Sequence, residues 1–191
     1  EWFSKAAAQG NEDAQNNLGT MYSDAQGITK DKVKAFEWYG KAAAQGHVDA
    51  QYNLGVMYER GEGAAQSYAK AVEWYSKAAT QGDSYAQNNL GVMYSKGLGV
   101  TQNDAKAFEW YSKAASHGHV YAQNTIGGKY QKGLGVTQSN IKAFEWYSKA
   151  AAQGDAYAQY NLAEMYKSGL GVTQSNAKAF EWYGKAADQG H

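Results

Sequence analysis

Tryptophan recurs at a constant interval along this chain. All six tryptophans are spaced 36 residues apart, at Trp2, Trp38, Trp74, Trp110, Trp146 and Trp182. A constant period of this length is the signature of an array in which one supersecondary unit is repeated and stacked. Because each unit buries its apolar face only against its neighbours, the period predicts a solenoid.

Each 36-residue unit contains two apolar segments with helical periodicity, which we name helix A and helix B. Helix A reads A-Q-x-N-L-G-x-M-Y, as in residues 50–58, and helix B reads A-K-A-F-E-W-Y-x-K-A-A, as in residues 105–115. The predicted fold class is therefore all-α, with five helix-turn-helix repeats after a half-repeat. We expect a single domain over residues 1–191, made of a partial repeat at 1–10 and full repeats at 11–46, 47–82, 83–118, 119–154 and 155–190.

Residues that cap helices mark the ends of these segments. Side chains of this kind accept the unsatisfied N–H groups of a first helical turn. Before helix B they are Asp31, Ser67, Asn103, Ser139 and Ser175; before helix A they are Asn11, His47, Asp83, His119 and Asp155. Glycine, which tolerates the left-handed turn that closes a helix, follows helix B at Gly46, Gly82, Gly118 and Gly154.

Helix B is predicted to be amphipathic. At 100° per residue, its apolar side chains cover one arc of about 160°. In the first full repeat they are Ala35, Phe36, Trp38, Tyr39, Ala42 and Ala43. Glu37 and Lys41 lie opposite, and the same i,i+4 pair returns in every repeat. Each such pair contributes only about 0.2–0.5 kcal/mol, so these carboxylates are expected on a solvated face and are poor catalytic candidates.

Composition excludes several classes of function. Eighteen basic residues balance eighteen acidic ones, which argues against a nucleic-acid binder and against a polybasic membrane-surface protein. No apolar run approaches the roughly 20 residues that span a bilayer, so we expect no membrane insertion. The chain has no Cys, which excludes disulfides and thiolate chemistry. Since it opens at Glu1 without a Met, it indicates no compartment.

The repeated motif (A-x-x-x-L-G-x-x-Y, then G-x-G-V, then A-x-x-W-Y-x-K-A-A-x-x-G) resembles the Sel-one-like repeat, SLR, a relative of the tetratricopeptide repeat. The resemblance covers essentially the whole chain. It implies a right-handed α/α superhelix in which helix A lines the concave face. It also implies an adaptor that assembles protein complexes, with no catalytic residue, metal or cofactor. The uniformity of the repeats suggests, by analogy, a bacterial array.

Comparison of the repeats with one another predicts where a ligand binds. A face that packs on the same neighbour in each repeat must stay constant, whereas a face free of that demand can vary. The variable columns of helix A are rich in Tyr and Asn, which offer contact area and hydrogen bonds. The predicted peptide-binding residues are Asp13, Asn16, Asp49, Tyr52, Tyr85, Asn88, Lys96, Tyr121, Asn124, Lys132, Tyr157 and Tyr160. Neutral drift on a solvated face is the alternative interpretation.

Three classes of function stay open. A protein- or peptide-binding scaffold is favoured, and a purely structural spacer is the second. The third is a serine acyl enzyme, because residues 67–70, 139–142 and 175–178 match S-x-x-K, a motif of penicillin-recognising enzymes. Asp31 and Asn103 occupy the same column and lack a nucleophilic hydroxyl, and no S-D-N or K-T-G accompanies it. Helix capping explains the column.

Two further patterns have structural explanations. His117 and His119 flank a glycine, but His119 occupies a capping column that holds Asp elsewhere, and no Cys is present; a metal site is therefore not predicted. The G-x-G pairs lack a preceding strand and are interpreted as loops rather than phosphate cradles. The fourth helix A departs from the pattern at Gly127, Gly128 and Lys129, which indicates a hinge, a close ligand approach or drift.

Charge and chain ends give two last expectations. Residues 1–96 hold nine basic and eleven acidic groups, and residues 97–191 hold nine and seven, so a bound peptide is expected to have a fixed polarity. The chain opens within helix B at Trp2 and Phe3, and its last helix B keeps Phe180 and Trp182. We therefore expect flanking repeats in a longer protein or end-to-end self-association through these apolar residues.

Overall fold

The computed structural model describes the backbone of residues 2–190 and the side chains from Lys5 to Gly190. Within this range the chain forms eleven α-helices and no strand. They are α1 (Trp2–Ala8), α2 (Glu12–Asp24), α3 (Lys32–Gln45), α4 (Val48–Arg60), α5 (Tyr68–Thr80), α6 (Ser84–Lys96), α7 (Asp104–Ser116), α8 (Val120–Lys132), α9 (Asn140–Ala152), α10 (Ala156–Ser168) and α11 (Asn176–Ala187). The even-numbered helices are helices A, and the odd-numbered ones are helices B.

The helices form two compact units, unit 1 over residues 1–102 and unit 2 over residues 103–191. In unit 1, α2 packs on α3 and α4 on α5, while α3 and α5 also pack on the helix A that follows each of them. In unit 2, α7, α8, α9, α10 and α11 pack in succession in the same way. Each unit is thus a stack of helical hairpins in which the main packing contacts join helices adjacent in sequence.

The predicted capping residues begin every helix from α2 to α11. Asp31 accepts from the Lys34 N–H at 3.0 Å, and Asp83 accepts from the Ala86 N–H at 2.6 Å. His47 also caps a helix, since its Nδ1 accepts from the Ala50 N–H at 3.3 Å. The ten capping predictions are confirmed.

Helices A end in the left-handed conformation, and one of them does so without glycine. Gly61, Gly97, Gly133 and Gly169 have φ between 68° and 70° at this position. Ala25 occupies it in the first full repeat with φ 60°. A side chain in this region costs roughly 1 kcal/mol relative to glycine, so α2 ends under mild strain.

A tyrosine of helix B packs flat on a glycine of helix A. A Cβ on Gly55 would lie 2.6 Å from the Tyr75 ring, and one on Gly127 would lie 2.6 Å from the Tyr147 ring. Only glycine allows this approach. The prediction of an apolar helix-B stripe is confirmed for Ala35, Tyr39, Ala42 and Ala43, which are buried. Phe36 and Trp38, from the same predicted stripe, are half-buried.

The second glycine of four A-to-B loops, Gly63, Gly99, Gly135 and Gly171, lies against the preceding helix B. A Cβ on Gly63 would overlap the Lys32 carbonyl group in unit 1, and one on Gly135 would overlap that of Asp104 in unit 2. Both glycines also have positive φ. These loops are therefore part of the packing between repeats, in agreement with the interpretation of the G-x-G pairs as loops rather than phosphate cradles.

A ladder of buried glutamines connects each helix A to the preceding helix B, and the sequence analysis did not single it out. Gln51 is 5% exposed, and its Nε2 donates to the Ala43 carbonyl at 3.3 Å. Gln81 donates to Gln51 Oε1 at 2.8 Å and to the Gly46 carbonyl at 3.1 Å. The same helix-end contact is made by Gln15, Gln87, Gln123 and Gln159. These bonds give a second donor to carbonyl groups at the end of helix B, which also accept the N–H of the following glycine, as Ala43 accepts from Gly46 at 3.1 Å.

The predicted Glu–Lys pairs of helix B form only in part. Among the described side chains, Glu73 and Lys77 pair at 3.0 Å and Glu181 and Lys185 at 2.7 Å, whereas the other three pairs are not ion pairs. Instead, the lysine of every helix B from α3 to α11 lies 3.9–4.2 Å from the centre of a Trp ring. The ammonium group prefers the face of the half-buried ring because the two groups are three residues apart.

Candidate functional site

In unit 1, two aspartates stand at the start of successive helices A. Asp13 and Asp49 occupy the first turns of α2 and α4 and are exposed. His47 Nε2 lies 3.3 Å from Asp13 Oδ1. Nδ1 of the same ring accepts the Ala50 N–H, so Nε2 is the ring nitrogen that faces Asp13. We name the exposed surface of the variable helix-A columns, within each unit, the helix-A face.

Aromatic side chains continue this face in unit 1. Tyr85 is 60% exposed, and its ring centre lies 6.1 Å from that of the half-buried Tyr52. Tyr52 in turn lies 5.9 Å from Tyr75, and burial raises the pKa of its phenol. Asn88 is half-buried. The predicted Lys96 is exposed at the last residue of α6.

Asn16 differs from the prediction that its column is exposed. It is only 9% exposed, and its Oδ1 is the buried side-chain atom without a hydrogen-bond partner in the described part of the chain. The equivalent Asn124 in unit 2 is half-buried and accepts from Asn161 Nδ2 of the next helix A at 3.1 Å. The column therefore lies beside the contact between successive helices A, where side chains face a neighbour as well as solvent.

Unit 2 has a more aromatic helix-A face. Tyr121 is 67% exposed, Tyr157 is 60% exposed and Tyr160 is 41% exposed. The Tyr160 ring packs edge-on against Tyr183 with 5.5 Å between the ring centres. Lys132 is exposed at the last residue of α8. Tyr85, Tyr121 and Tyr157 occupy the same position in successive helices A, and all three are exposed rather than part of the core.

Tyrosine hydroxyls of helix B form hydrogen bonds with side chains of helix A. The Tyr75 hydroxyl donates to Glu59 Oε2 at 2.5 Å, and burial together with that carboxylate raises the pKa of Tyr75. In unit 2 the Tyr147 hydroxyl donates to Gln131 Oε1 at 3.1 Å, and burial raises the pKa of Tyr147 to about 12. Both phenols are neutral and act as fixed polar supports of helix-A side chains.

A polar cleft of about 320 Å³ lies between α2, α3 and α4 in unit 1. Its lining includes Thr20, Asp24, Tyr39, Asn53 and Arg60. Lys32, also in the lining, pairs with Glu62 at 2.7 Å and thereby lowers the pKa of that carboxyl group. Tyr39 donates to Thr20 Oγ1 at 3.1 Å.

Comparison with known proteins identifies the repeat. The Sel1 repeat family matches residues 1–11, 12–47, 48–83, 84–119, 120–155 and 156–191. The chain belongs to the Sel1 repeat family. The predicted resemblance and the predicted fold class are thereby confirmed, and Sel1 repeat proteins are generally protein-interaction scaffolds. No curated protein matches the chain.

Two solved structures share both fold and sequence with this Sel1 repeat chain. A protective antigen of uropathogenic Escherichia coli strains, which displays an SLR fold, is 42% identical over 99% of this chain, with a TM-score of 0.96. A Sel1 repeat protein from Oxalobacter formigenes is 38% identical over 97% of this chain, with a TM-score of 0.91. The chain spans 40% of the length of the E. coli antigen and 76% of the Oxalobacter protein. A Sel1 repeat protein from Klebsiella pneumoniae, at 24% identity and a TM-score of 0.60, shares the fold.

The S-x-x-K motifs have the geometry of helix caps. Ser67 Oγ accepts from the Lys70 N–H at 3.4 Å, and the Lys70 ammonium lies 5.2 Å from the centre of the Tyr58 ring. Lys34, which follows Asp31 rather than a serine, lies over Tyr22 in the same way at 5.4 Å. The lysines of the two other motifs, Lys142 and Lys178, lie 5.3 Å and 5.2 Å from Tyr130 and Tyr166. The lysine therefore packs over a tyrosine ring whether or not the capping residue before it has a hydroxyl group.

The histidines also have structural contacts. His119 caps α8 through Nδ1, which accepts the Ala122 N–H at 3.3 Å. No group of three His, Asp or Glu side chains suited to a metal ion occurs between Lys5 and Gly190. No helix in the described range is long and apolar enough to cross a membrane.

The fourth helix A carries a buried ion pair that the sequence analysis missed. Lys129 replaces the Met of the other repeats and is 5% exposed. Its Nζ lies 2.9 Å from Asp104 Oδ1, a residue that begins α7. The signal was available, because the one acidic residue of a column that otherwise holds Lys32, Tyr68, Asn140 and Asn176 lies in the repeat just before the one that carries Lys129. The helix is continuous across Gly127 and Gly128, so the predicted hinge is not a break in α8.

The last helix B exposes the ring that other repeats cover. Phe144 packs edge-on against Tyr166 of the next repeat at 5.3 Å, whereas Phe180 is 81% exposed. Trp182 is half-buried. The side chains of Trp2 and Phe3, which the sequence analysis placed at the opposite end, lie outside the described residues.

Proposed function

We propose that this Sel1 repeat chain is a scaffold that holds a protein or peptide segment on its helix-A face. The carrying observation is the exposure of Tyr85, Tyr121 and Tyr157, at 60%, 67% and 60%. Tyrosine presents a large, rigid and amphipathic surface at a small cost in side-chain entropy, which is why it is enriched in binding surfaces. A spacer has no need of exposed aromatic rings at a regular interval.

The support beneath these rings favours binding as well. Every helix A described here is capped at its N-terminus, bonded to the preceding helix B through a buried Gln, and carried by a helix B that packs on it. A surface held in this way loses little conformational freedom when a ligand binds, and that preorganisation strengthens the complex.

Substitution of the three tyrosines tests the proposal. Peptides selected from a random library on the unmodified protein should bind the Tyr85→Ala/Tyr121→Ala/Tyr157→Ala variant at least about tenfold more weakly, since each large aromatic contact is worth roughly 1 kcal/mol or more. The melting temperature should stay within a few degrees because the rings are exposed. Fluorescence anisotropy measures the affinity, and circular dichroism measures the melting temperature.

A matched control separates this face from exposed apolar surface in general. Val33 and Ile141 of helix B are 56% and 64% exposed, and their joint substitution by Ala should leave the affinity unchanged. If the library yields no binder, or if the tyrosine variant binds normally, the spacer function is favoured instead. A large fall in melting temperature would show that the rings belong to the core.

We further propose that α11 associates with a helix A of another Sel1 repeat. Inside unit 2 the equivalent ring, Phe144, is covered by the helix-A residue Tyr166, and Phe180 offers the same edge. Light scattering at rising protein concentration should show self-association that Phe180→Ser abolishes. A species that stays monomeric at all concentrations would contradict this.

A further inference from the structure

The two units carry net charges of opposite sign. Unit 1 contains nine basic and eleven acidic residues, and unit 2 contains nine and seven. In unit 1, Asp13, Asp24 and Asp49 are exposed. A rotation of 100° per residue returns Asp24 to the side of α2 that carries Asp13, three turns away. Asp49 repeats the Asp13 position one repeat later. We name the surface defined by these three aspartates the acidic face of unit 1.

The cations near this face do not neutralise it. Lys32 is paired with Glu62 at 2.7 Å and donates to Ser23 at 2.9 Å. Arg60 and Lys96 are exposed at the last residues of α4 and α6, and in the described structure neither Asp24 nor Asp49 has an ion-pair partner. Asp13 Oδ1 lies 3.3 Å from His47 Nε2.

Asn16 gives a second and independent indication of a ligand that donates hydrogen bonds. Its Oδ1 is buried and has no partner, whereas the equivalent Asn124 in unit 2 accepts from Asn161. The residue at the Asn161 position in unit 1 is Asn53, which lines the polar cleft. Thr20, also in the lining, donates to the Asn16 carbonyl at 3.3 Å. Asn16 lies one helical turn before Thr20 and is not itself in the lining, so a ligand N–H group that enters the cleft past Thr20 and Asn53 would supply the missing donor.

We propose that the acidic face of unit 1 binds a basic peptide segment, with a Lys or Arg side chain at the cleft beside Asn16. This rests on the proposed scaffold function and specifies the chemistry of its ligand. The aspartates supply charge, Asn16 and the cleft accept N–H groups, and Tyr52 and Tyr85 offer ring faces to which cations are attracted. Complementary charge on such a surface selects the partner and accelerates its association.

Two peptides of equal length test the charge preference. Fluorescein-labelled (Lys-Ser)₄ should bind, and (Glu-Ser)₄ should bind at least about tenfold more weakly, because three exposed ion pairs at roughly 0.5 kcal/mol each amount to a factor of ten. Binding of the Lys peptide should weaken as salt is raised, since exposed charges are screened. Equal binding of both peptides, or preference for the Glu peptide, would overturn the proposal.

Variants with equal net charge locate the site. Asp13→Asn/Asp24→Asn/Asp49→Asn should weaken (Lys-Ser)₄ binding roughly tenfold. The control Glu37→Gln/Glu73→Gln/Glu109→Gln removes the same charge from exposed positions of helix B and should change the affinity less than about twofold. If both variants weaken binding equally, the attraction is a property of the whole protein and the proposal fails.

Asn16→Leu distinguishes a ligand contact from a structural role. Loss of a buried acceptor without a donor should leave the protein as stable as before or more stable, while the affinity for (Lys-Ser)₄ falls severalfold. Unchanged affinity would contradict the placement of the cation beside Asn16. Library-selected peptides that depend on the three tyrosines but lack basic residues would overturn the charge preference alone, whereas peptides insensitive to the tyrosines would overturn the scaffold function itself.

Discussion

Units 1 and 2 share the hydrogen bonds that join one repeat to the next but differ in the pairs of side chains that form around them. Gln51 in unit 1 and Gln123 in unit 2 make the same bond to the end of the preceding helix B. In contrast, the buried Met57 of unit 1 corresponds to Lys129 in unit 2, which pairs with Asp104. Backbone-directed contacts are thus shared, whereas side-chain partners have diverged.

The difference shows that the residue type tolerated at a buried position depends on the side chain that packs against it as well as on its place in the repeat. The residue that would face a lysine at position 57 is Lys32, because it stands in the same relation to Met57 as Asp104 does to Lys129. One unit therefore tolerates a buried cation that the other would reject. The repeats are interchangeable in backbone but not in side-chain pairs.

Met57→Lys breaks this comparison most strongly. A buried ammonium group close to Lys32, whose carboxylate partner Glu62 is already engaged, should destabilise the protein by about 3–5 kcal/mol. The double variant Met57→Lys/Lys32→Asp recreates the pair of unit 2 and should recover most of that loss. Urea denaturation followed by circular dichroism measures both; equal stability of the two variants would show that the pairing does not determine tolerance.

Substitution of the buried glutamines should affect the two units equally. Gln51→Ala and Gln123→Ala each remove two side-chain hydrogen bonds, one to a helix-end carbonyl and one from a neighbouring Gln, at a cost of about 1–3 kcal/mol. Chemical denaturation gives the two free energies of unfolding. Costs that differ by more than about 1 kcal/mol would contradict a shared scaffold contact.

Removal of a helix-B tyrosine hydroxyl should lower the free energy of unfolding by different amounts in the two units and change its pH dependence. Tyr147→Phe removes a neutral bond to Gln131 and should cost about 0.5–1.5 kcal/mol, whereas Tyr75→Phe removes a bond to a carboxylate and should cost slightly more.

Because the pKa of Tyr147 is raised to about 12 in the folded chain, above about 10 in an unfolded one, its neutral phenol stabilises the fold below pH 10. That contribution is lost between about pH 10 and 12. Stability of the Tyr147→Phe variant should therefore fall less over this window. An unaltered alkaline decline would contradict the assignment.

The helix C-terminal caps give the smallest expected effect. Ala25→Gly should stabilise unit 1 by about 0.5–1 kcal/mol, since glycine adopts positive φ without strain. Gly133→Ala in unit 2 should destabilise by a similar amount, because alanine is strained at positive φ. The cost should not be larger, since the added Cβ would make only ordinary contacts near Gln138. Thermal unfolding of both variants checks the opposite signs.

Periodicity made most of the fold predictable. The helix ends followed from capping chemistry that depends on one residue at a time, so even His47 was predicted correctly. Contacts that join two repeats were harder to predict. The Lys129–Asp104 pair and the burial of Asn16 depend on which residue of the next repeat lies opposite, and a helical wheel drawn for one helix contains no such information.

The candidate face was predictable only as a set of columns. Variation among repeats indicated where packing is absent, and the exposures of Tyr121 and Tyr157 agree with it. The variation did not indicate that the Tyr52 ring packs near that of Tyr75, or that Asn16 Oδ1 has no hydrogen-bond donor. Those properties arise from adjacent repeats that differ in sequence, here Asn16 and Tyr52 in one column.

Chemical-shift mapping of a library-selected peptide tests the central claim most directly. With the protein labelled by ¹⁵N, addition of the peptide should shift the amide signals of the helix-A columns, including Asp13 and Asp49 in unit 1 and Tyr121 and Tyr157 in unit 2. Signals of Glu37, Glu109 and Glu145, which lie exposed on helix B, should stay in place. Shifts confined to helix B, with the helix-A signals unmoved, would contradict the assignment of the helix-A face as the binding surface.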